Sequence, residues 1–159
     1  MPRLYLDVCC FNRPFDDQSQ ARIRVETEAV LAVLERCETG EWELVISEMV
    51  EIEVAQIADP ERRQRIEEAM LMARSRIIVD DVIANRGEEL QNLGFQGFDA
   101  IHLSCAEFAQ VNVFLSTDDR LLRRAARYGS SLTVAVENPA LWLIATLQTG
   151  DSDNDPSGA

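Results

Sequence analysis

Four acids stand where apolar runs of this chain give way to helical patterns, or just inside the helix beyond: Asp7, Glu53, Asp99 and one of the doublet Asp118–Asp119. Carboxylates gathered in one place repel one another and shed water, which raises their proton affinity unless a cation compensates. Their hard oxygens suit Mg²⁺ or Mn²⁺. The expectation is a carboxylate site for one of these cations, provided the fold brings the positions together.

The positioning elements follow from periodicity. Leu4-Tyr5-Leu6-Asp7-Val8 reads as a buried first strand with Asp7 at its carboxyl end, followed by the turn-rich 12–17. Apolar residues at helical spacing over 20–37 predict a helix closed by Gly40, and 42–46 reads as strand two. Ser47 caps the helix that carries Glu53, and Asp59-Pro60 opens another. Residues 77–79 form strand three, Asp80 or Asp81 caps a helix to about 93, and Asp99 opens a buried helix to 110. Strand four is 113–116, capped into a helix by Thr117 or Asp118; strand five is 132–136, and Asn138-Pro139 opens the last helix. Trp42 and Trp142 are expected to anchor the core edges.

Strands alternating with helices need crossover connections, so the fold class is α/β: a three-layer α/β/α sandwich with a five-stranded parallel sheet. A length of 159 residues with 47% hydrophobic content fits one domain, read here as 1–148, with 149–159 a disordered acidic tail. Ligands of such sheets bind beyond the carboxyl ends of the strands, where the strand order reverses. Asp7 and the doublet become neighbours there if strands one and four pair.

Composition removes several alternatives. All 15 basic residues are arginine, so chemistry that needs a lysine, such as P-loop phosphate binding or a Schiff base, is excluded. A net charge of −13 argues against coating nucleic acid by bulk attraction, leaving only local grip. Cys9, Cys10, Cys37 and Cys105 lack the paired spacing of a zinc site and read as reduced, packed thiols. The sequence offers neither a membrane span nor a signal peptide, so a cytoplasmic location is expected.

Read in order, the motifs resemble the PIN-domain nucleases, the family that includes VapC-type toxins. The matches are Leu4-Tyr5-Leu6-Asp7, Ser47 to Glu53, Asp99-Ala100 opening an apolar helix, and Thr117-Asp118-Asp119 after strand four, across residues 3–137. One position departs: Cys9 stands where the family usually has Asn or Ser. The resemblance implies a PIN-like fold and a Mg²⁺- or Mn²⁺-dependent ribonuclease that hydrolyses RNA phosphodiester bonds. On it, Asp7 and Asp99 are direct ligands, and Glu53 and Asp119 ligate directly or through water. One acid stays free as general base. Asp119, two residues after Thr117, is the better match for the fourth acid, with Thr117 and Asp118 in support.

A toxin role implies a short antitoxin partner, and the family's habit of pairing admits a homodimer. The competing reading is a catalytically inactive PIN-like binding module. Arg120, Arg123, Arg124 and Arg127 share one helix face and, with Arg13, are the RNA-binding candidates, although a solvated arginine face competes for the same spacing. His102, one turn beyond Asp99, reads as a packed or hydrogen-bonded histidine.

Overall fold

The centre of the sheet is β1, Arg3–Leu6, whose Leu4, Tyr5 and Leu6 are all essentially inaccessible although successive side chains point to opposite faces. Both faces are therefore covered, as a parallel sheet requires. In the computed structural model the described residues are 1–153, with side chains described through 150. The sheet has five parallel strands in the order β3-β2-β1-β4-β5, with β2 at Glu43–Ser47, β3 at Ser75–Ile77, β4 at Val113–Leu115 and β5 at Ala135–Glu137. Tyr5 pairs with Val45 on one side and Phe114 on the other, and its ring stacks on Phe114 at 5.3 Å.

Local chemistry places the helices. Ser47 accepts the Val50 N–H and starts α3, Glu48–Ala55; Asp59 accepts the Glu61 N–H and starts α4, Pro60–Met70. Asp80 accepts the Ile83 N–H and starts α5, Asp81–Asn92, which packs along α6, Gly97–Phe108. Gly87 permits that approach, since a Cβ there would meet Ile101 Cδ1 at 2.7 Å. Helix α2, Ala21–Glu38, packs against α8, Pro139–Asp153, and Trp42 meets Trp142 edge to face at 5.0 Å. Helix α7 is Asp119–Arg127, capped by Asp118.

The observed elements depart from expectation at several ends. Strand one stops at Leu6, and Asp7 instead caps a short helix unread in the sequence, α1, Val8–Asn12. Strand three lies at 75–77 rather than 77–79. Its partner β2 ends at Ser47, opposite Ile77, and the Val79 N–H donates to Glu48 instead of a ladder. Strand five is 135–137 rather than 132–136, because β4 begins only at Val113, opposite Ala135. An edge strand extends no further than the neighbour it pairs with. Helix α8 runs on through Asp153, so the tail read from 149 begins inside it; 154–159 lie outside the described residues.

Candidate active site

Pairing of β1 with β4 places Asp7 at the carboxyl edge, where its N–H donates to Leu115 O at 2.9 Å. Its carboxylate, 6% exposed, accepts the Val8 N–H at 2.9 Å on Oδ1 and the Ser116 hydroxyl at 2.8 Å on Oδ2. Burial pushes the Asp7 carboxyl well above the usual carboxylate range, and the neighbouring charges of Cys9 and Asp99 push it the same way. Ser116, absent from the expected set, ties the edge together by also accepting the Asp118 N–H at 3.1 Å. Only the β1–β4 pairing reveals it, since in sequence it is one more residue at a strand end.

Cys9 fills the departing position. Its Sγ lies 3.4 Å from Asp7 Oδ2, 3.4 Å from Ser116 Oγ, and accepts the Thr117 N–H at 3.4 Å. The thiol is drawn down to about 6, chiefly through hydrogen bonding with Cys10. Thr117 is buried and reaches this edge through its backbone.

Asp99 sits half-buried in the first turn of α6, where unpaired helix amides favour an acid. Its carboxyl is raised first by burial and then by the charges of Asp118 and Glu53, while His102 and Arg120 oppose the shift. Asp118, at the cap of α7, takes the Arg120 N–H at 2.9 Å on Oδ1. A cleft of about 70 Å³ lies between them, walled also by Phe95, Gln96, Arg120 and Arg124. Glu53, on α3, accepts from His102 Nε2 at 3.0 Å on Oε1. Asp7, Glu53, Asp99 and Asp118 are thus electrostatic neighbours on one edge.

Asp119 is not among them. It is exposed and held by Arg22 through two 2.7 Å hydrogen bonds, which depress its carboxyl. The doublet divides its labour: one acid faces the crevice and the next, about 100° further round the helix, faces α2. Arg13 is also committed elsewhere. It donates to Asp16 at 3.2 Å, and its Nη2 lies 2.9 Å from Glu26 Oε1 as an ion pair outside hydrogen-bond geometry. Arg124 donates to Leu93 O at 3.1 Å, Arg127 lies over the Tyr128 ring, and Arg120 and Arg123 are exposed. These four arginines line a shallow surface cleft of about 220 Å³.

The donor set suits a hard divalent cation in type. Asp99, Glu53 Oε2 and Asp118 Oδ2 accept no hydrogen bond among the described residues. As they stand, however, no three His, Cys, Asp or Glu side chains among those residues converge closely enough to cage an ion. Asp7, Glu53 and Asp118 are bonded to Ser116, His102 and the α7 amides, so side-chain rotation would be required to close the set. A larger apolar groove of about 410 Å³, between Phe11, Phe15, Leu34, Ile66 and Met72, shares no residue with this edge.

No helix among the described residues is long and apolar enough to cross a membrane. No protein-family model matches the sequence, and no curated protein matches it. Solved structures do. The chain superposes on FitAcB from Neisseria gonorrhoeae with a TM-score of 0.57 at 16% identity, covering 86% of this chain and 97% of that one. VapBC2 from Rickettsia felis, bound to a DNA fragment from their promoter, matches with a TM-score of 0.54 at 14% identity, covering 86% and 98%. At these identities the likeness establishes the fold, an α/β sandwich around a five-stranded parallel sheet of the expected PIN type.

Proposed function

We propose that this protein is a Mg²⁺- or Mn²⁺-dependent endoribonuclease and the toxin of a toxin–antitoxin pair. The observation that carries this reading is the gathering of Asp7, Glu53, Asp99 and Asp118 on one sheet edge, with no arginine ion pair to any of them among the described residues. Asp7 and Asp99 would hold the ion, with Asp118 and Glu53 completing the set directly or through water. When bound, such an ion would offset phosphate charge and lower the pKa of a bound water enough for a neighbouring base to activate it.

The chain's own groups do the rest. Arg120 and Arg123, exposed beside the acids, grip phosphate oxygens and set the strand's path. An acid not engaged by the ion accepts the attacking water's proton. The fold shared with FitAcB and VapBC2 supports the toxin role, and a short antitoxin would silence it by covering the acidic edge.

The test is labelled RNA incubated with the full chain and Mn²⁺. Cleavage lost in Asp7→Asn/Asp99→Asn supports the reading, and cleavage that survives the double change ends it. A second reading, a PIN-like binding module without catalysis, is favoured by the failure of any three acids to converge. It expects RNA to be retained but never cut, and Mn²⁺ to leave the melting temperature unmoved.

A further inference from the structure

Behind Glu53 lies a buried chain of side-chain hydrogen bonds that reaches across the sheet. His102 Nε2 is 3.0 Å from Glu53 Oε1, His102 Nδ1 is 2.6 Å from the Tyr5 hydroxyl, and that hydroxyl is 2.6 Å from Ser47 Oγ. His102 and Tyr5 are 0% exposed, and the two rings meet edge to face at 5.7 Å. We propose that Ser47, Tyr5 and His102 are positioning residues that aim the Glu53 carboxylate at the acidic crevice.

The direction of the chain follows from donor and acceptor capacity. An ionised carboxylate only accepts, so His102 Nε2 carries a proton and donates to Glu53. In a neutral ring Nδ1 is then an acceptor and takes the Tyr5 O–H. The Tyr5 oxygen in turn takes the Ser47 O–H, while Ser47 Oγ accepts the Val50 N–H at 3.3 Å. Every side-chain polar atom of Ser47, Tyr5 and His102 finds a partner, the condition under which a buried network rigidifies its surroundings rather than weakening them.

The topology argues for purpose beyond packing. Ser47 and Glu53 belong to the cap and second turn of α3, Tyr5 to β1 and His102 to α6, so the bonds close a ring through three elements. Glu53 keeps 24% of its side chain exposed, so burial alone does not demand a partner for it. Elsewhere this chain holds acids with arginine, as Arg22 holds Asp119 and Arg86 holds Glu107. At Glu53 it uses an imidazole, which orients without a permanent opposite charge. Glu53 Oε2 remains without a partner among the described residues.

This inference rests on Glu53 belonging to the proposed nuclease site, and its test separates the two. His102 is the chain's only histidine, so ¹⁵N-labelled imidazole in the metal-free full chain gives one pair of ring-nitrogen resonances. The expected spectrum at pH 8 shows a protonated Nε2 and an acceptor Nδ1, with Nδ1 shifted strongly by Tyr5→Phe. A ring protonated on Nδ1, or resonances indifferent to Tyr5→Phe, overturns the proposal.

The second measurement is Mn²⁺ affinity by electron paramagnetic resonance. His102→Leu is expected to weaken binding by about tenfold, and His102→Gln, which can keep a donor toward Glu53, to recover most of it. If a folded His102→Leu binds Mn²⁺ like the wild type, the proposal falls. A wild type that binds no Mn²⁺ instead defeats the nuclease reading, and the ring spectrum still decides the relay.

Discussion

Two acid-bearing regions of this molecule treat charge in opposite ways. Around Glu26, which is 2% exposed, Arg13 and Arg22 supply positive charge and Asn138 donates at 2.6 Å; Arg22 continues to Asp119. That region joins the residues after α1 to α2, α7 and the start of α8, and its acids are neutralised where they stand. On the sheet edge Asp7, Asp99 and Asp118 have no arginine ion pair, and Glu53 has an imidazole. The first arrangement stabilises the fold, whereas the second carries a repulsion that only a ligand or protons relieve.

The largest expected effect lies in catalysis. Asp7→Asn or Asp99→Asn should lower Mn²⁺-dependent RNA cleavage by more than about 100-fold, beyond the usual loss for residues that only support a ligand. The same changes should leave the thermal midpoint level or raise it. A large fall in midpoint would place these acids with Glu26 as structural charges. Glu26→Ala is the reciprocal change. Removing one partner of a buried pair strands the others and should cost about 3 kcal/mol, or about 6–12 °C in midpoint for a chain this size.

The doublet sharpens the contrast within one turn of helix. Asp118→Asn keeps a competent cap for α7, so its effect should be confined to cleavage, at about tenfold or more. Asp119→Asn breaks only an exposed pair with Arg22 and should change cleavage by less than about threefold, with the thermal midpoint essentially unmoved. Equal losses from the two would erase the distinction drawn from their positions.

The smallest effect is in the pH dependence of stability, and its sign differs between the regions. Asp7 and Asp99 have raised carboxyls, so the metal-free native state binds protons more tightly than the unfolded chain. Their contribution therefore falls as pH rises from about 4 toward their folded values. Glu107 is raised by burial, but hydrogen bonds from Arg86 and Thr133 leave it below 4.5. Its contribution is full above that value and disappears as pH drops through the lower folded one. Urea titrations from about pH 3 to 7 should show the first slope flattened by Asp7→Asn/Asp99→Asn and the acid-side loss reduced by Glu107→Gln. Unchanged slopes in the double variant would mean that the fold does not raise these two carboxyls.

What the sequence disclosed divides along the same physical line. Caps at Ser47, Asp59 and Asp80 were legible because a side chain bonding an amide two or three residues on is local chemistry. The doubly covered parallel sheet was legible from alternation, and Asp7 from its place at the end of an apolar run. The facing of Asp118 and Asp119 was not legible, since it depends on which side of α7 meets α2. Arg13 looked free because Glu26 reaches it only once α2 has folded back. Tyr5 read as one apolar residue in a strand, and its hydroxyl acquires meaning only when α6 lays His102 across it.

Asp7 and Ser116, bonded in the finished edge, are 109 residues apart, and β1 finds β4 across the same interval. On the ribosome β1 emerges long before the strand that seats Asp7 exists. Until β4 emerges, Asp7 lacks its Ser116 partner and Asp118 has not been made, although Glu53 and Asp99 already have. The acidic edge of this protein is therefore completed only in the final third of translation rather than accumulating along the way.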